Sequence, residues 1–451
     1  MPAQYVRIAV PEDRTQGERT ITLTALRIPT TAERPGNPIV FLMGGPGIPG
    51  TVIAPIPPYF SLFGRLRELA DVIIVDQRGI GRSEPVMDCP FTRALPTDFF
   101  LSRDRVVNAI RSEVVSCANH IRATSGEPTA YNTIESADDI DDLRKALDVQ
   151  RVDLLAFSYG TRLALMYAQR HGDHVGRMGL QGVNGPGLVL KRPAPIARKL
   201  ARISELLRQD TTWRGPTDLV DAARRARERL AHTPATVTIA DRRTGQHLSL
   251  QIGRDGFDAI ASLNLDDVRL PALLISVAAN DDRVLARFVE SVWNGFAGGT
   301  VGLMARAVNC AADRPASRLA VVQAEAAAAP FGVPIDNEFL TDEFCEAVGY
   351  TVAPVEFAEA VTGHFPVLML TGNLDATNPV ENAVDVARGL ANAVLLNVEN
   401  GAHEMLPIPV VQDAIVDWFR GADVNGRQIA AVRPRFASIE AASAPLPQRG
   451  R

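Results

Sequence analysis

The chain has 451 residues, of which 46% are hydrophobic and 22% charged, with a formal net charge of −5. That length and apolar content imply a large soluble core carrying a sizeable insertion, or two domains. No Lys/Arg stripe interleaved with aromatics is present, which argues against a nucleic-acid partner, and no window reaches the roughly 18 uninterrupted apolar residues of a membrane span. The first residues, MPAQYVRIAVPEDRTQ, lack the basic-then-apolar layout of a signal peptide, so as written the chain is expected in the cytoplasm. Cys89, Cys117, Cys310 and Cys345 show no Cys-x-x-Cys spacing, which argues against a zinc or redox site, and neither metal nor cofactor is expected. Two disulfides would suit an exported protein instead.

In chain order, Tyr5 to Val10 and Thr20 to Ile28 carry β-branched residues between turn-formers and read as antiparallel edge strands. Pro38 to Leu42 and Asp71 to Val75 are continuous apolar runs suited to a parallel sheet covered on both faces, and each ends in a glycine-bearing loop. Ser136 to Leu147 has helical spacing, Val152 to Phe157 reads as a buried strand, a helix runs through Leu163 and Ala168, and Met178 to Val183 is the next strand. This alternation implies an α/β fold with a doubly wound, mostly parallel sheet. It stops after Gly187. From about 188 to 360 the chain is Ala-, Arg- and Leu-rich at helical spacing, with one hairpin, Ala235 to Ile239 and Leu248 to Ile252. Strand patterns return at Pro366 to Leu370 and Ala393 to Val398. The expected organisation is a sheet core from 1–187 and 361–425, an inserted, mainly helical lid over 188–360, and a peripheral tail over 426–451.

The sharpest chemical signal is Ala156-Phe157-Ser158-Tyr159-Gly160, where a strand ends in a serine between small residues and a helix begins. That layout lifts a serine Oγ above a sheet, although the usual Gly-x-Ser-x-Gly has Ala156 at its first position. A serine hydroxyl needs an imidazole to take its proton and a carboxylate to orient that imidazole. Asp375 and His403 each follow one of the returning strands, in the chain order Ser, Asp, His. Of the other histidines, His364 precedes a strand instead of following one, and His171 and His174 close the helix after Ser158. Oxyanion donors are expected from the Tyr159 N–H and from the glycine-rich loop Met43 to Gly47.

The chain resembles the prolyl aminopeptidase and tripeptidyl aminopeptidase branch of the α/β-hydrolases. The resemblance rests on GGPG at Gly44 to Gly47, DQRGIGRSEP at Asp76 to Pro85, YNTIESADDIDDLRKAL at Tyr131 to Leu147, LLAFSYGTRLALMYAQRHGDHV at Leu154 to Val175, and TGNLDATNP at Thr371 to Pro379. It implies an α/β-hydrolase fold with Ser158, Asp375 and His403 catalytic and Gly45 and Tyr159 at the oxyanion hole. It also implies that Asp76 and Arg78 brace the loop beneath the site by ion pairing, and that Cys310 pairs with Cys345 and Cys89 with Cys117. Met43 stands where the family usually has His, and Ala156 where it usually has Gly.

Aminopeptidases of this group hold the substrate's α-amine with lid carboxylates, for which Asp313 and Glu205 are candidates, and Gly44 joins them as a candidate substrate-binding residue. The expected function is acyl-enzyme hydrolysis that removes an N-terminal residue or short peptide from a small-molecule or short peptide substrate. A small-molecule esterase or amidase is the alternative. An acyltransferase and a binding protein on the same scaffold are further readings, and the oligomeric state is not legible.

Overall fold

The structure is a computed structural model that describes residues 1–350 and 360–445. Nine strands form one sheet: β1 (Gln4–Pro11), β2 (Thr20–Ile28), β3 (Ile39–Leu42), β4 (Val72–Asp76), β5 (Val152–Phe157), β6 (Val175–Gln181), β9 (Val367–Gly372), β10 (Ala393–Glu399) and β11 (Ile429–Ala430). A separate antiparallel hairpin pairs β7 (Ala235–Ala240) with β8 (His247–Ile252). The sheet order is β1-β2-β4-β3-β5-β6-β9-β10-β11, antiparallel from β1 to β4 and parallel thereafter. The patterning explains which strands lie inside. Every residue of β3, β4, β5 and β9 is buried, whereas β1 at the edge keeps most of its residues in contact with solvent. The strand order reverses between β3 and β5, and at such a reversal the loops at the carboxyl ends part to leave a crevice.

Between β6 and β9 the described residues add no strand to this sheet; they form helices and the β7–β8 hairpin. This layer has a second contributor that the sequence reading does not assign. The segment after β4 joins it through Val301 N–H to Cys89 O, Met304 N–H to Met87 O and Phe91 N–H to Gly299 O. Its helix Arg103–Thr124 packs on the inserted helices Leu303–Cys310 and Asp342–Val348. Disulfides Cys89–Cys117 and Cys310–Cys345 staple each part. The tail also differs from a peripheral one. Ile429 and Ala430 pair in parallel with β10, and Arg433 donates to Leu206 O. Ala437 N–H then bonds Val268 O, and the short helix Ile439–Ser443 packs on the inserted helices Leu270–Ala278 and Arg283–Ala297, burying Ala442.

Asp76 and Arg78 brace the loops under the crevice, but not as an ion pair with each other. Asp76 at the end of β4 accepts from Thr51 N–H at 2.9 Å, Thr51 Oγ1 at 2.7 Å and Arg82 N–H at 2.9 Å. Arg78, fully buried, pairs with Asp139 through Nε at 2.8 Å and Nη2 at 2.7 Å, and Nη1 donates to the Glu12 and Ala130 carbonyls. Its guanidinium thus ties β1, the helix Thr133–Ala146 and the β4 loop together. Without Arg78, the buried Asp139 would keep only Arg14, 3.0 Å away, as a cationic partner, and the Glu12 and Ala130 carbonyls would lose their donor. Arg78→Ala is expected to lower unfolding free energy by about 3–5 kcal/mol, read from the midpoint of a urea titration at unchanged m-value.

Candidate active site

Three loops at the carboxyl ends of strands converge in the crevice. The chain leaves β5 at Ser158 with φ 53° and ψ −121°, a conformation that residues with a Cβ seldom adopt, and the helix Tyr159–His171 begins at once. Two glycines allow it by close approach. A Cβ on Gly44 would lie 2.7 Å from the Ser158 Cβ and 2.9 Å from the Phe157 carbonyl, and one on Gly160 would lie 2.0 Å from the Leu42 carbonyl. The helix can therefore start directly against β3, with the Ser158 hydroxyl raised into the crevice.

His403 Nε2 lies 2.9 Å from Ser158 Oγ, and its Nδ1 lies 2.9 Å from Asp375 Oδ2. A carboxylate at Nδ1 keeps the ring proton there, which leaves Nε2 as the acceptor for the serine proton. Asp375 Oδ1 accepts the N–H groups of Thr377 and Asn378, both at 2.8 Å. Burial alone would raise the Asp375 carboxyl, but the charge and hydrogen bond of His403 and the Asn378 N–H hold it below the ordinary carboxylate value. The carboxylate therefore stays ionised wherever the imidazole works.

Residues that the sequence reading passes over hold the histidine loop. Gln181, buried at the end of β6, donates through Nε2 to His403 O at 2.7 Å and accepts Met405 N–H on Oε1 at 3.1 Å. From the inserted layer, Asp266 accepts His403 N–H at 3.3 Å and is itself paired with Lys199. His364 is exposed at the foot of β9 and His171 pairs with Asp138, so neither competes for the serine. An amide closing the apolar run Met178-Gly179-Leu180 was the available signal for Gln181.

A cavity of about 440 Å³ opens over Ser158 and His403. Gly45 lies on its wall, as do the apolar side chains of Ile48, Val189, Ala305 and Phe339. The expected substrate carboxylates lie elsewhere. Glu205 is half-exposed on the helix Ala194–Gln209, where it pairs with Arg202 at 2.8 Å, because an acidic residue one turn from an arginine on an outer helix face has its partner in solvent already. Asp313 sits by Gly187, away from the cavity lining, and burial raises its carboxyl. Gly44 packs beneath the serine and is likewise absent from that lining.

The charged groups on the wall are Arg162, Lys191, Arg306 and, exposed at one side, Asp336. Burial pulls Arg162 down to about 10 and Lys191 down to about 8, with the more distant Asp336 partly offsetting the effect at Lys191. Lys191 Nζ donates to Asn378 Oδ1 at 2.9 Å, and Asn378 Nδ2 donates to Gly182 O at 2.9 Å while lying 3.5 Å from Ser158 Oγ. Arg162 was legible as a charge in an otherwise apolar helix, Leu163 to Ala168 following it; Lys191 and Arg306 had no such signal.

The profile of the alpha/beta hydrolase fold matches residues 37–407. Among curated proteins, the chain is 28% identical over 172 residues to the hydrolase YuaR of Escherichia coli strain K12, covering 36% of this chain and 31% of that one. It is 30% identical over 189 residues to serine protease Hip1 of Mycobacterium tuberculosis, covering 40% and 36%. It is 29% identical over 195 residues to a tripeptidyl aminopeptidase of Streptomyces lividans, covering 41% and 36%. The matches thus span about a third of these relatives' lengths. The Gln181 clamp predicts that Gln181→Leu, which leaves the His403 carbonyl and the Met405 N–H without partners, lowers kcat about tenfold or more with a smaller change in KM, measured on any substrate the protein turns over.

Proposed function

The chain belongs to the alpha/beta hydrolase fold family, and we propose that it is a serine hydrolase working through an acyl-enzyme, with Ser158 as nucleophile, His403 as general base and Asp375 as its orienting carboxylate. The observation that carries this reading is the continuous hydrogen-bonded line from Ser158 Oγ through the imidazole to Asp375. Ser158 Oγ attacks the scissile carbonyl while its proton passes to His403 Nε2. The tetrahedral oxyanion collects the N–H groups of Gly45 and Tyr159, and the imidazolium then returns the proton to the leaving group. Water repeats the sequence to free the acid.

Ser158→Ala is expected to lower kcat by about four powers of ten or more while leaving the fold intact, and a fluorophosphonate is expected to label the wild type at that serine alone. Labelling at another residue, or an alanine variant within about tenfold of wild type, would be incompatible with this nucleophile.

Two readings of the bond cleaved differ by one charge. Relatives named as a serine protease and a tripeptidyl aminopeptidase support removal of N-terminal residues from short peptides or amides. That reading needs a carboxylate for the substrate's ammonium, and among the described residues of the cavity wall only Asp336 supplies one. The abundance of cations on the same wall favours the second reading, an esterase or amidase that needs no free amine. A matched pair of anilides, one with a free α-amine and one N-acetylated, separates them. The peptidase reading expects acetylation to cost about tenfold or more in kcat/KM and Asp336→Asn to erase that difference; equal rates on the wild type would leave the esterase or amidase.

A further inference from the structure

None of the three wall cations takes part in the proton relay between Ser158, His403 and Asp375, and none is neutralised by an ion pair among the described residues. Arg162 is almost fully buried, 3% exposed, and donates through Nη2 to Asn309 Oδ1 at 3.0 Å, yet its Nε and Nη1 are buried with no hydrogen-bond partner. Its guanidinium stands 5.0 Å from the Tyr159 ring. Arg306 rests on Phe339, 4.5 Å from the ring centroid, and its buried Nε also lacks a partner. Lys191 reaches only the neutral Asn378 amide. Burying a cation costs free energy unless an anion or a full set of acceptors compensates it, and buried donors are otherwise almost always satisfied. Three such groups around one cavity, with the single acidic residue of the described wall exposed at its side, leave a site with an excess of positive charge and with unpartnered arginine donors.

We propose that this cavity recognises an anion, and that the preferred substrates are esters or amides carrying a carboxylate near the scissile carbonyl, received by Arg162, Arg306 and Lys191. The assignment of a carboxylate substrate rests on Ser158 acting as nucleophile; the anion site itself does not. An apolar wall of Ile48, Val189 and Phe339 would cover the methylenes between the two polar ends. Arginine suits this task because it stays charged when desolvated and offers several fixed donors to a carboxylate.

The test uses the full chain and two substrate pairs. On the acyl side, the p-nitrophenyl hemiester of glutaric acid is compared with p-nitrophenyl pentanoate; on the leaving-group side, 4-carboxyphenyl pentanoate is compared with 4-carbamoylphenyl pentanoate. The carboxylate-bearing member of at least one pair is expected to show kcat/KM about thirtyfold or more above its neutral partner, with the ratio falling below about three in Arg162→Gln and Arg306→Gln, each checked for folding by circular dichroism. In parallel, glutarate is titrated calorimetrically into Ser158→Ala, where binding is expected and where adding Arg162→Gln should weaken it about tenfold or more. Neutral substrates turned over as well as their charged partners in both pairs, together with no glutarate binding, would overturn the proposal. A wild type that hydrolyses none of the four esters and takes no fluorophosphonate label at Ser158, but binds glutarate, would refute the nucleophile assignment and leave the anion site standing.

Discussion

The architecture of the site depends on how closely the chain can pass itself at the end of β5. Ser158 holds a backbone conformation that costs on the order of 1–3 kcal/mol, and it persists because the helix behind it lies directly against the Leu42 carbonyl while Gly44 lies against its own Cβ. The same two strands flank the point where the sheet order reverses, so the strained serine stands at the crevice that this reversal opens. Folding free energy from the buried sheet thus holds one hydroxyl in a fixed position. The other two loops need only bring an imidazole and a carboxylate to an atom that is already in place.

Much of this core was legible. A run such as Val152 to Phe157 has no polar alternation, and a glycine-bearing loop after each such run marks a parallel sheet whether or not its strand order is known. Ser158, Asp375 and His403 were singled out because each follows a strand in the order the proposed chemistry requires, and their side chains lie within hydrogen-bond distance in the succession Ser158, His403, Asp375. The disulfides followed from the family resemblance, and the structure contains both pairs. What could not be read was anything set by how the second layer settles on the first. Glu205 and Asp313 were chosen as acidic residues in the inserted stretch, but helical spacing does not say which face meets the cavity, and both face elsewhere. Lys191, Arg306 and Asp336 acquire their meaning only after the helices dock. The contribution of residues near Cys89 to Thr124 was hidden for the same reason, since their partners lie some two hundred positions away.

The two layers also meet at the histidine. Gln181 belongs to the sheet and the Lys199–Asp266 pair to the inserted helices, yet both hold the His403 loop, one by its carbonyl and the other by its amide. The proposed general base is therefore seated by the junction of the layers and not by the core alone. A change that loosened the docking of the helices would be felt at Nε2 even if every sheet contact survived.

The route of the chain after Gly421 bears on how this covering layer can move. A lid joined to its core only where the chain enters and leaves can turn about those two points like a flap. Here the residues from Ile429 to Ser443 add a third attachment, running from the sheet edge across to the inserted helices. The segment near Cys89 adds a fourth, with hydrogen bonds from the loop after β4. Attachment at several separated places restrains such a swing, which leaves the mouth of the standing cavity as the way in, with its size and charge as the filter for what enters.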